Sequence, residues 1–140
     1  TAFDTTLDYK KMCKVCDFVR AGLPYIATHP DYNCPTKTGF IPDAGAIHAF
    51  INASSFRYPD RIIGKPNADI IKYLLARLDT TGNKVVMVGD RLYTDIAAGA
   101  NNGLYSMLVL SGETKLEDVK TSEVKPHLIF DSVKEVIPFL

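Results

Sequence analysis

From about residue 61 onward, short β-branched runs alternate with longer stretches whose apolar residues recur at helical spacing. Arg61-Ile-Ile-Gly64 reads as the buried end of a strand, and Asn67 as the cap of a helix over about 68–78. Lys84-Val-Val-Met-Val88 is the strongest strand signal in the chain. A helix over 94–100 follows, with Asn102-Gly103 as its left-handed stop. Ser106 to Leu110 reads as a third strand, 116–120 as a short helix and His127 to Phe130 as a fourth strand. Asp131-Ser132 caps a last helix through Val136. This rhythm predicts an α/β fold: a Rossmann-like parallel sheet with helices on both faces and right-handed crossovers.

The first part of the chain is patterned differently. Met12, Cys13, Val15, Cys16 and Val19 lie at helical spacing within Lys10 to Val19, and Gly22 follows as a stop. Leu23 to Thr28 has strand length. The segment 29–42 is rich in Pro, Asn, Gly and Thr and reads as a loop, followed by a helix of small residues over about 44–53. The boundary between the two parts falls near Ser55 to Asp60.

With 140 residues the chain holds one ordinary domain or pieces of two. Apolar residues at 46% and charged residues at 23% fit a soluble globular protein. Sixteen basic and sixteen acidic side chains cancel, which argues against a nucleic-acid surface and a polybasic membrane patch. No apolar run approaches the roughly 20 residues that span a bilayer. The start of the chain has neither a signal-peptide pattern nor an initiator Met, which leaves room for residues before it. Three cysteines, an odd count without framework spacing, suit a reducing cytoplasm.

Ligands of open parallel sheets sit beyond the carboxyl ends of the strands. Two such ends carry charge here: Val88 runs into Gly89-Asp90, and Ile63 into Gly64-Lys65-Pro66. Asp90 is a carboxylate suited to a hard cation such as Mg2+. Asp95, at the start of the next helix, suits a water of that cation or the orientation of the loop. Lys65 suits a phosphate oxygen or a neighbouring carboxylate. Each has a plainer reading. Asp90 alone is a turn former, Asp95 alone is a helix N-terminal charge, and Gly-Lys-Pro alone means little. Their combination and order suggest phosphoryl transfer.

The stretch Gly64-Lys65-Pro66 … Met87-Val-Gly-Asp90-Arg-Leu-Tyr-Thr-Asp95-Ile closely resembles the third and fourth motifs of the haloacid dehalogenase superfamily. Phe3-Asp4-Thr-Thr-Leu-Asp-Tyr9, Ile26-Ala-Thr-His-Pro-Asp31, Pro42-Asp-Ala-Gly45-Ala-Ile47 and Leu108-Val-Leu-Ser-Gly112 resemble its class IIA branch of para-nitrophenylphosphatase-like and pyridoxal-phosphatase-like enzymes. The resemblance implies a Mg2+-dependent phosphatase acting on a small phosphorylated metabolite. Asp90 would be the magnesium carboxylate and Asp95 its supporting acid, while Lys65 would stabilise the phosphoryl group. Residues 1–58 would be the later part of a mobile α/β cap, and 59–140 the C-terminal part of the core. The cap loop carrying His29, Asp31 and Asn33 would face the substrate.

The resemblance also implies parts that are not in these 140 residues. Family members carry an Asp-x-Asp-Gly nucleophile and general acid upstream of the cap, followed by a Ser/Thr phosphoryl-binding motif. Asp4-Thr-Thr6-Leu-Asp8 has no Gly after the pair and too little chain before it to build a buried strand. The expectation is therefore a chain lacking its nucleophile, inactive alone, that forms an oligomer or associates with the missing segment. A catalytically inactive remnant serving as a scaffold is the alternative. A phospho-receiver domain is a third reading, but its lysine follows the phosphoacceptor, whereas Lys65 precedes Asp90. Cys13 and Cys16 read as core packing rather than a redox pair, since they lie mid-helix. His29, His48 and Cys34 lack metal-ligand spacing and read as structural or loop residues, and Tyr9, Tyr25 and Tyr32 suit contact with a substrate, though packing explains them as well.

Overall fold

The structure is a computed structural model that describes residues 1–139, and the chain folds as two units dividing between Gly64 and Lys65. Each unit is built from locally legible causes. In the first, the Asp8 carboxylate accepts a hydrogen bond from the Lys11 amide at 2.7 Å and opens α1 (Tyr9–Arg20). Asp43 likewise accepts from the Ala44 amide at 2.6 Å and opens α2 (Ala44–Ser55). Cys16, Val19, Tyr25 and Ile51 form the core, with Val15 and Ile47 packed against it. Cys16 is thus a core residue while Cys13 is exposed, so the Cys-x-x-Cys pair faces two environments.

Two features of this unit differ from the sequence expectation. The short strands β1 (Ile26–Ala27) and β4 (Arg61–Ile62), numbered in chain order, pair in parallel with each other. The 61–64 run therefore belongs to the first unit, and Arg61 is exposed rather than buried. The supposed loop contains a hairpin, β2 (Asn33–Thr36) antiparallel to β3 (Gly39–Pro42). Pro35 and Pro42 argue against strands in a sheet interior. Here both strands are ribbon edges, where a missing N–H can face outward at no cost to the ladder. Lys37 and Thr38 make the turn between them, and Gly39, at φ 143°, opens β3 directly after it.

His48 lies on α2, 4% exposed, with Nε2 buried and no hydrogen-bond partner among the described residues. Its ring stands edge-on to Tyr25 at 6.1 Å. Burial lowers its pKa from the ordinary 6.5. The folded state therefore holds the imidazole neutral while the unfolded chain takes up a proton below about 6.5, so stability present above that pH is lost as pH falls. Urea midpoints measured from about pH 7 to about pH 5 should decline, and His48→Leu should flatten the decline.

In the second unit, α3 (Ala68–Leu78) follows Asn67 as N-cap. A 3-10 turn over Gly82–Lys84 leads into β5 (Val86–Gly89), where the sequence suggested strand from residue 84. β5, β6 (Tyr105–Val109) and β7 (Leu128–Phe130) form a three-stranded parallel sheet in that order. The crossovers contain α4 (Ala97–Asn101) and α5 (Leu116–Thr121). Ile71, Ala98 and Leu104 form one buried cluster with Met87, and Leu92, Ile96 and Leu108 form another with Val119 and Val124. Among the described residues this sheet has no fourth strand, because 61–62, expected to supply it, pairs with β1. The closing helix is a 3-10 segment, Val133–Phe139, containing Pro138, which has no N–H for an α-helical bond. The fold class is α/β, a parallel sheet with helices in the second unit and a smaller α/β first unit. No helix among the described residues is long and apolar enough to cross a membrane.

Candidate active site

β5 ends at Gly89 because nothing larger fits. A Cβ there would lie 2.2 Å from the Asp95 Cβ. Asp90 follows at the carboxyl end of the strand, and the chain then enters a π-helical turn over Leu92–Ile96. The sequence suggested the first turn of an α-helix at this place. The wider turn, closed by the Ile96 amide donating to the Arg91 carbonyl at 3.1 Å, carries Asp95 back beneath the strand end. Asp95 is 5% exposed.

Two donors meet the Asp95 carboxylate. The Arg91 amide donates to Oδ2 at 3.3 Å, and the Lys65 ammonium forms an ion pair with Oδ1. Lys65, thirty positions earlier, is thereby fixed at the same strand end. A buried carboxylate needs such a partner, since an unpaired charge in a low-dielectric setting is costly.

Asp90 is held differently, by the main chain. The Glu113 amide donates to Asp90 Oδ2 at 2.8 Å, and the Thr114 amide donates to the Asp90 carbonyl at 3.1 Å. Gly112 permits this approach, because a Cβ there would sit 2.0 Å from Asp90 Oδ2. The Glu113 carboxylate is itself tied to Arg91 Nε at 2.8 Å and to the Tyr93 hydroxyl at 2.9 Å. The 112–114 loop was not among the predicted site residues. Its only sequence signal is Gly112 beyond a strand end, the same signature as Gly89-Asp90.

The donor chemistry fits magnesium. Asp90 Oδ1 carries no hydrogen bond among the described residues, so one hard carboxylate oxygen is available to a cation while its twin is anchored. Both Asp95 oxygens already accept hydrogen bonds, which suits a supporting acid.

Of the predicted cap-loop residues, His29 and Asp31 come together and Asn33 does not join them. His29 Nε2 lies 2.8 Å from Asp43 Oδ1, and Nδ1 lies 2.8 Å from the Thr28 hydroxyl. His29, Asp31 and Asp43 each place a donor atom within 4.8 Å of the others. Asn33 begins β2 and is exposed. Asp43, noted in the sequence only within the 42–47 stretch, is here the N-cap of α2. His48 and Cys34 lie outside this group.

With these arrangements established, comparison with known proteins places the chain in a class. The family model for HAD-hydrolase-like proteins matches residues 62–136, just over half of the chain. The chain belongs to the haloacid dehalogenase superfamily, in its class IIA branch of phosphatases. It is 39% identical over 129 residues to ribonucleotide monophosphatase NagD of Escherichia coli, covering 92% of this chain and 50% of the relative. The crystal structure of a 4-nitrophenylphosphatase from Thermotoga maritima superposes with a TM-score of 0.93 at 47% identity, covering 98% of this chain and 52% of that one. A glycerol phosphate phosphatase from Mycobacterium tuberculosis, solved in complex with magnesium, gives a TM-score of 0.88 at 28% identity, covering 95% and 40% respectively. The chain spans about half the length of the curated relatives it matches.

Proposed function

We propose that this chain is the C-terminal portion of a magnesium-dependent phosphomonoester hydrolase, with its first unit drawn from the cap and its second from the core. The observation that carries the reading is the group at the carboxyl end of β5: Lys65 paired with buried Asp95, next to an Asp90 with one oxygen anchored and the other without a hydrogen bond among the described residues. The phosphatase relatives and the magnesium in the Mycobacterium tuberculosis enzyme's structure support it.

In this reading an aspartate from a preceding segment attacks phosphorus in line, forming an aspartyl-phosphate, and a second aspartate protonates the leaving oxygen. Water then cleaves the acyl-phosphate. Asp90 would hold Mg2+, and the Glu113 amide keeps that carboxylate from rotating away. When bound, the ion offsets the negative charge on the phosphoryl oxygens. The Lys65 ammonium adds a second positive charge, and Asp95 fixes its position. His29, Asp31 and Asn33 are assigned to substrate choice by the family resemblance, and the substrate class is a small phosphorylated metabolite. The outer edge of β5, with Val86 and Val88 exposed, is where a strand of the preceding segment would add.

Joined to that segment, the protein should hydrolyse para-nitrophenyl phosphate with Mg2+ and lose the activity in excess EDTA, followed by release of nitrophenolate. Trapping the phosphoenzyme on an upstream aspartate by mass spectrometry would locate the nucleophile. Absence of both activity and phosphoenzyme would favour the scaffold reading.

A further inference from the structure

We infer that His29, Asp31 and Asp43 form a second metal site, for a first-row divalent ion such as Zn2+, lying wholly within the first unit and including two of the residues that the phosphatase reading assigns to substrate choice. One imidazole nitrogen and two carboxylates converge, with their donor atoms within 4.8 Å of one another. Asp43 is 8% exposed, and its Oδ1 is already positioned by the Ala44 amide. The histidine is oriented from behind, because Thr28 Oγ1 lies 2.8 Å from Nδ1 and leaves Nε2 directed at the carboxylates. This is the second-shell arrangement that fixes ring orientation in metal-binding histidines.

The donors are held in place by backbone, with no contribution needed from a metal. The Asp43 amide donates to the Tyr32 carbonyl at 2.9 Å, and the Gly45 amide to the Asp31 carbonyl at 2.8 Å. A Cβ at position 45 would lie 2.2 Å from the Pro30 carbonyl oxygen, so only glycine allows the two segments to lie this close. The 29–32 and 43–45 segments are stapled together, and their three donors with them.

The donor set selects the ion class. Imidazole favours Zn2+, Cu2+ or Ni2+ over Mg2+, which keeps to oxygen ligands and water. Three protein donors leave a fourth position for water. On binding, the ion replaces the His29–Asp43 hydrogen bond. The proton that Nε2 donates to Asp43 moves to Nδ1 as the ring changes tautomer, and Nδ1 then donates it to the Thr28 hydroxyl, which turns to accept.

The test is Zn2+ titration of the chain by calorimetry, with Mn2+-induced broadening of amide NMR signals to locate the site. Binding near one equivalent is expected, with broadening centred on residues 28–31 and 43–45. His29→Ala and Asp31→Asn should each weaken Zn2+ at least tenfold, and Thr28→Val by about tenfold. NMR spectra of each variant without metal report whether the fold is retained; Asp43 is left intact because it caps α2. Replacing both Cys13 and Cys34 by Ser should leave the affinity unchanged. Zn2+ affinity indifferent to His29→Ala, affinity lost with the cysteines, or broadening confined to the surroundings of Asp90 would each overturn the site.

Discussion

Asp90→Ala should reduce magnesium-dependent hydrolysis of para-nitrophenyl phosphate by about 10³-fold or more in kcat, in the protein that includes the preceding segment. That loss corresponds to about 4 kcal/mol of transition-state stabilisation. The size follows from what Asp90 does in the proposed site. One oxygen is anchored by the Glu113 amide and the other is open, so the side chain is a fixed, single-purpose cation ligand. Alanine removes the charge and vacates the anchor together. Asp90→Asn separates these effects, because the amide oxygen can still accept from Glu113 N–H while the negative charge is gone. If charge is the issue, Asn should be nearly as inactive as Ala, and raising the Mg2+ concentration should restore little of either. Neither variant should unfold the chain, since Asp90 is only partly buried. Undiminished turnover by Asp90→Ala would remove the site assignment.

The second large effect is on stability and is measurable on the chain itself. Lys65→Ala should destabilise the second unit by about 2 kcal/mol, because the Asp95 carboxylate is left buried without its cation. The side chains are 45% and 7% exposed respectively. The exposed lysine end is screened by water, which keeps the cost below that of a fully buried pair. The double variant Lys65→Ala with Asp95→Asn should recover most of the loss, since no charge is then stranded. Urea unfolding of the four proteins makes a double-mutant cycle. Additive losses would mean that the ion pair carries no coupling and that Lys65 is held by something else.

The parallel sheet and the strand-end Asp90 were readable because their signals are local. A β-branched run followed by Gly-Asp needs only the periodicity of a buried strand. The π-turn over Leu92–Ile96 was not, because apolar residues at helical spacing suit an α- or a π-helical turn over five residues. The β2–β3 hairpin was hidden by Pro35 and Pro42, whose exclusion from strands holds for interior strands and not for a two-stranded ribbon. Of the 61–64 run, read as a buried strand end of the large sheet, residues 61–62 are strand but pair with β1, since its apolar side chains say nothing about which strand will pair with it. The Lys65–Asp95 pair and the convergence of Asp43 on His29 are tertiary facts, spanning 30 and 14 positions, with no periodic trace. Glu113 could not be found from its side chain at all, because its contact with Asp90 uses the backbone amide.

That last contact separates two evolutionary regimes within adjacent positions. Every amino acid except proline brings an N–H to position 113, so a change of side chain there gives up the ties to Arg91 and Tyr93 but leaves the hold on Asp90 in place. Position 112 has no such freedom, because any side chain collides with the carboxylate being held. Divergence among proteins sharing this loop should therefore leave one residue frozen beside one that drifts. A search that scores side chains would keep the glycine and discard its neighbour as filler, although the neighbour supplies the donor that holds the carboxylate.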